Sequence, residues 1–182
     1  MKEYIHYGCK NFDPQKIKQV KNRMYLGKPS GGFWSSPIES EYSWKQWNDS
    51  SQCSECREDL SVKFYVKNTA NILEIHNLND AQKIIDNYPM PVPPEYKELL
   101  FDLMPSIDWE KISKEYDGVE IFLTETPELN HKLPYWDCDS LVIFNGDCIE
   151  IIDKDKSVAD NVLDDDKVEI PFVMADEEEI FL

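Results

Sequence analysis

Apolar residues recur with two different periods along this chain, and each period predicts a different element. From Leu60 to Val66 they alternate, placing Leu60, Val62, Phe64 and Val66 on one face, the pattern of a half-buried strand. Tyr4 to Tyr7 is a short aromatic and β-branched run that predicts a strand ended by Gly8. Phe33 to Ser36 predicts another, stopped by Pro37. Ile72–Ile75, Val119–Phe122 and Leu141–Phe144 read as further strands, and Ile149–Ile152 adds one more. Helical spacing appears elsewhere. Asp13 followed by Pro14 predicts a capped start, with Ile17, Val20 and Met24 forming a buried stripe beneath a basic outer face. Ser40 is expected to cap a short helix carrying Tyr42, Trp44 and Trp47, and Asn79 one carrying Ala81, Ile84 and Ile85. Pro89 to Pro94 is a stiff connector, Glu95 to Met104 is helical, and Trp109, Ile112 and Tyr116 mark a last short helix. Short strands interspersed with helices, without strict βα alternation, predict an α+β fold.

Composition narrows the partners. The 182 residues carry 36 acidic and 19 basic side chains, a net charge of −17. Such a surface repels a phosphate backbone and an anionic membrane, so direct nucleic-acid binding and membrane docking are both disfavoured. No stretch reaches the ~20 apolar residues of a membrane span, and MKEYIHYGCK lacks an apolar signal core. A soluble, cytoplasmic protein is expected. The charge is uneven: residues 1–52 hold 8 basic and 5 acidic side chains, residues 158–182 hold 1 and 9. One domain over residues 1–157 is expected, followed by an acidic C-terminal segment whose Val168 to Val173 docks while its acidic runs stay exposed.

Several chemistries are absent. There is no phosphate-binding loop, dinucleotide glycine fingerprint, zinc-protease motif or nucleophile elbow. The five cysteines are an odd set, which favours free thiols over a disulfide framework. Cys53-Ser-Glu-Cys56 is a lone pair without the two further ligands of a structural zinc site, so a polar loop without metal is expected. His76 and His131 read as structural or solvated. His6 differs, because it sits mid-strand among aromatics just before Gly8, where a backbone can approach a ligand closely.

Four segments taken together resemble the ADP-ribosyltransferase superfamily, in its toxin-type and phage-encoded members. Tyr4-Ile5-His6-Tyr7-Gly8 resembles the first motif, a strand carrying a His beside a Gly. Lys28-Pro29-Ser30-Gly31-Gly32-Phe33-Trp34-Ser35-Ser36-Pro37 resembles the second, a strand ending in small hydroxyl residues. Tyr116-Asp117-Gly118-Val119 and Asp139-Ser140-Leu141-Val142-Ile143-Phe144-Asn145 are similar to the closing part. The resemblance implies two small, mostly antiparallel sheets around a cleft, with peripheral helices. It implies NAD as co-substrate, with His6 on a ribose hydroxyl and Tyr7, Gly8, Ser35, Ser36 and Tyr42 lining the nicotinamide side; Tyr7, Trp34 or Tyr42 would stack on the ring.

The third motif ordinarily supplies a Glu. Here Asp139 or Asp137 takes its place; Ser140 falls there on a strict strand alignment, Cys148 stands beside Asp147 where some relatives place a Gln, and Glu120 and Glu150 are lesser alternatives. The chemistry suits a carboxylate. Breaking the nicotinamide–ribose bond develops positive charge on the sugar, which a nearby carboxylate stabilises. Two functions follow. One is transfer of ADP-ribose from NAD to an acceptor that the sequence does not identify. The alternative is a catalytically inactive acidic protein on the same scaffold, engaging a basic protein partner through its surface charge.

Overall fold

The computed structural model describes residues 2–23, 27–50, 56–91 and 107–152, all within one compact unit, Met1–Ile152. Seven strands carry it: β1 (Glu3–Tyr7), β2 (Phe33–Pro37), β3 (Ser61–Val66), β4 (Ile72–Ile75), β5 (Gly118–Ile121), β6 (Ser140–Ile143) and β7 (Ile149–Ile151). Among the described residues the helices are α1 (Trp44–Ser50), α2 (Leu78–Asn87), α3 (Trp109–Glu115) and α4 (Leu129–Lys132). This is a mixed α+β architecture.

The strands form one hydrogen-bonded order, β4-β5-β6-β2-β1-β3-β7, and all pairs are antiparallel except β4 with β5. The sequence reading expects two small sheets, whereas here a single sheet runs through. The link between its halves is narrow, however. β1 pairs with β3 along its full length, but with β2 only at Tyr4–Pro37 and Ile5–Ser36.

Alternation sorts the side chains onto two faces. One face gathers Tyr4, Phe33, Phe64, Leu141, Ile143 and Ile149 into a core, with Phe12, Ile17 and Ile72 packed against it. The other buries Ile75, Val119, Ile121 and Val142 against α2, α3 and α4, whose Ile84, Trp109, Ile112 and Leu129 point inward. The sheet also curls. Strands lie ~4.8 Å apart, so β5 and β1, three places apart in the order, would be ~14 Å apart if it were flat. Yet the Tyr4 hydroxyl of β1 reaches the Glu120 carboxylate of β5 at 3.0 Å.

Asp117 explains why Tyr116-Asp117-Gly118 stands where it does. Its carboxylate accepts from the Asn71 N–H and the Asn145 side-chain amide, both at 2.8 Å, and its main-chain oxygen takes the Phe144 and Asn145 N–H groups. It thereby clamps the start of β5 between the start of β4 and the end of β6. Gly118 is required by space: a Cβ there would stand 2.7 Å from the main-chain oxygen of Val142.

Three local expectations are corrected. The helix expected from Asp13 to Met24 is a single 3-10 turn, Pro14–Lys16, capped by the Asp13 side chain. Beyond it residues 17–23 are not helical, with Lys21 bridged to Ser30, and Met24 lies outside the described residues. The reason is that Ile17 packs into one core and Val20 into the other, so the apparent stripe serves two faces rather than one helix side. The cap of α2 is Asn77, whose side chain accepts from the N–H groups of Asn79 and Asp80. Finally, His131 lies on α4 rather than in a loop. The expected helix over Glu95 to Met104, residues 92–94 of the proline connector, Cys53 and the acidic segment lie outside the described residues.

Candidate functional site

The segments around His6, Ser35 and Ser36 lie on β1 and β2, Asp139 leads into β6, and Gly118 and Val119 lie on β5, so the singled-out segments occupy four consecutive strands, β5-β6-β2-β1. The geometry is most informative where β1 and β2 part. Past Ile5 no further pairing between them is made. There the His6 ring turns toward β2, and its Nδ1 stands 2.6 Å from the Trp34 main-chain oxygen. A carbonyl only accepts, so Nδ1 carries the hydrogen. In the neutral ring Nε2 is then a bare acceptor. Burial pushes the His6 pKa below 6.5, opposed by the Trp34 bond. The ring is therefore neutral near pH 7, with Nε2 free to accept from a hydroxyl. Phe33 supports it, its ring centroid 4.4 Å from the imidazole, and Phe12 stacks on Phe33 at 3.7 Å.

Gly8 follows with a φ of 111°, a backbone conformation that L side chains rarely adopt, and its N–H donates to the Leu60 oxygen at 2.8 Å. Strand alternation puts Ser35 on the His6 face, while Tyr7, Trp34 and Ser36 fall on the opposite one. Ser35 is buried, and its hydroxyl donates to the Leu141 oxygen at 3.0 Å. Ser36 is also buried. Its hydroxyl donates to the Asp139 main-chain oxygen at 2.5 Å and accepts from the Trp44 N–H at 2.9 Å, anchoring α1. Trp34 is held between Trp44 and Trp136, with ring centroids 6.2 and 5.1 Å away. Tyr42 is 41% exposed in the loop before α1.

The carboxylates differ. Asp139 is 4% exposed, and each of its oxygens holds one partner: Oδ1 accepts from the Thr124 N–H at 2.8 Å, and Oδ2 from the Ser40 hydroxyl at 2.7 Å. A carboxylate oxygen has two lone pairs, so each oxygen keeps one for another partner. Asp137 is half-buried. Burial raises its pKa and the ammonium of Lys28 pulls the other way. The Ser140 hydroxyl accepts from the Trp44 indole at 2.9 Å and donates to the Cys138 oxygen, so it is a structural pin. Cys148 is buried and Glu150 is exposed on β7.

A second group of residues went unremarked in the sequence apart from Glu120. The residue is 3% exposed, and both its carboxylate oxygens accept from the Tyr4 hydroxyl at 3.0 Å. The Lys2 ammonium lies 2.5 Å from Oε1. Burial raises the Glu120 pKa, and Lys2 and Tyr4 oppose that rise. The curl of the sheet makes this cluster, and no local motif announces it.

Two surroundings complete the picture. The Cys56 thiol sits against the Asn48 amide and the Trp44 oxygen. Among the described residues, no helix is long and apolar enough to cross a membrane. Comparison with protein-family models, with curated proteins and with solved structures finds no match to this chain.

Proposed function

We propose that this chain is an ADP-ribosyltransferase-like protein that uses NAD as co-substrate and transfers ADP-ribose to an acceptor of still open identity. The observation that carries the reading is the parting of β1 and β2 at His6, where a neutral imidazole presents Nε2 beside a glycine with positive φ. In this reading Nε2 accepts a hydrogen bond from a ribose hydroxyl, and Gly8 lets the nicotinamide amide approach the backbone. The bond between the nicotinamide nitrogen and the ribose carbon breaks, and the departing ring keeps the electron pair. Positive charge develops on the sugar, and Asp139 or Asp137 offsets it until the acceptor's nucleophile closes the new bond. The finer fold assignment, two half-sheets around an NAD cleft, belongs to the same proposal. The two-pair junction between β1 and β2 is what supports it.

A binding protein without catalysis is the second reading. It is favoured by the engagement of both Asp139 oxygens in holding Thr124 and Ser40. Partner charge separates it: such a protein would use its −17 net charge to engage a basic protein.

The test is thermal unfolding of the full chain with and without NAD, together with chromatographic assay of released nicotinamide. Ligand bound to the native state raises Tm by linkage. A rise in Tm that His6→Ala abolishes, with nicotinamide release, supports the enzyme. A rise without release supports the inactive scaffold, and no rise removes NAD from both.

A further inference from the structure

Where the curled sheet brings β1 toward β5, a pocket of about 310 Å³ opens, lined among others by Lys2, Tyr4, Ile72, Glu74, Glu120 and Phe122. Its floor is the carboxylate of the buried Glu120, held from one side by the Tyr4 hydroxyl. A carboxylate this deep needs a cation as well as a hydrogen bond. The cation present is the ammonium of Lys2, 2.5 Å from Oε1. It also stands 4.4 Å from the centroid of the Phe122 ring and 5.3 Å from that of Tyr4. Carboxylate and aromatic faces together form the environment that recognises an organic ammonium ion.

The occupant is less buried than the site. The Lys2 side chain is 42% exposed, against 4% for that of Glu120. Glu74 adds a second carboxylate at the rim, its Oε2 3.1 Å from His76 Nε2. Lys67 also lines the rim and sets a like charge against a guest, but its ammonium is turned to the Asp147 main-chain oxygen at 2.7 Å.

We infer that this pocket is a receptor for a primary alkylammonium group, and that Lys2 is its intramolecular occupant, displaced when an external ammonium enters. The guest is an unbranched alkyl stem ending in a charged amine. A lysine side chain of a partner protein and a free polyamine share that chemistry. A tethered competitor acts at an effective concentration on the order of mM, so Lys2 masks the site against weak guests and yields to one presented with further contacts. The inference does not depend on NAD binding.

The test uses the full chain carrying Lys2→Ala, with n-butylammonium chloride as the probe and n-butanol and sodium chloride as controls. Lys2→Ala should lower Tm, because Glu120 loses its cation. n-Butylammonium should restore Tm saturably, the controls should not, and the wild type should need several-fold more probe for a given rise. Adding Glu120→Gln should abolish the response. Should Lys2→Ala not fold, Lys2→Met keeps the stem without the charge and is read the same way. A lysine-containing peptide and spermidine, compared on the same variant, then identify the source: the stronger response names it. No response to n-butylammonium in the Lys2 variants, or an equal response to n-butanol, overturns the proposal.

Discussion

His6 Nδ1 approaches the main-chain oxygen of Trp34 to 2.6 Å at the point where β1 and β2 cease to pair. One imidazole therefore satisfies a backbone acceptor beyond the end of the ladder and aims its second nitrogen away from it. The contact fixes the tautomer, and burial keeps the ring neutral. Both properties are measurable.

The folded His6 pKa lies below the unfolded value of 6.5. As pH falls beneath that value, the unfolded chain takes up a proton before the folded one does, so stability drops. The contribution is present above about pH 6.5 and is lost as pH falls through the depressed folded value. His76 works in the opposite sense. Burial alone would lower its pKa, but the hydrogen bonds and charges of Glu74 and Glu125 together outweigh that and raise it. Its contribution is therefore present at low pH and is lost as pH rises through the folded value. The informative quantity is thus the difference between wild type and His6→Phe. The variant should lose less stability than wild type on acidification from about pH 7 to about pH 5. Identical slopes would show that His6 titrates as in the unfolded chain.

Asp139 holds together two segments beside the third motif. Asp139→Ala leaves the Thr124 N–H and the Ser40 hydroxyl without their acceptor. Thr124 is exposed and Ser40 half-buried, so water replaces part of what is lost; at about 0.5–1.5 kcal/mol for each hydrogen bond, denaturant titration should show a loss of about 1–3 kcal/mol. Asp139→Asn keeps one acceptor oxygen and should lose less. If Asp139 acts only in catalysis, both variants unfold at the wild-type midpoint.

Much of this architecture is legible in the chain, and the misses have physical causes. β3 follows from the alternation of Val62, Phe64 and Val66, because period two places all three on one face. β1 and β2 follow from short apolar runs with a glycine or proline at their ends. The segment after Asp13 misleads because the spacing of Ile17 and Val20 fits a helix, although two cores claim one residue each. The motif residues are legible as strand positions, but not the division that sends His6 and Ser35 one way and Tyr7 and Ser36 the other. Glu120 is hardest to see. Its partners Lys2 and Tyr4 stand more than a hundred residues earlier, and only the curl of the sheet unites them.

Gly118 offers a test of close packing between β5 and β6. A Cβ would meet the Val142 oxygen at 2.7 Å and the methyl ends of Ile72 and Ile143 at 3.1 and 3.3 Å. The side chains can shift, but the backbone oxygen belongs to the neighbouring strand. Overpacking of this kind costs about 1–3 kcal/mol, so Gly118→Ala should lower Tm clearly. Unchanged stability would mean that β5 sits farther from β6 than the register implies.

The cysteines test the burial of the two sheet faces by chemistry alone. Cys138 is 3% exposed, and burial pushes its thiol up to about 12; Cys148 is 5% exposed and is pushed up to about 11. The thiolate is the reactive form, and an ordinary thiol titrates near about 8.5. At about pH 8 the Cys138 thiolate is then far scarcer than that of an unfolded cysteine, before access is counted. Disulfide reagents should leave both residues unmodified in the native protein and label them once urea unfolds it, with mass spectrometry locating the sites. Labelling therefore reports opening of the sheet, and its rate should rise in Gly118→Ala and Asp139→Ala about tenfold for every ~1.4 kcal/mol of stability lost. Native-state labelling of Cys138 at the unfolded rate would show that the segment from Trp136 to Ser140 is not closed over the sheet.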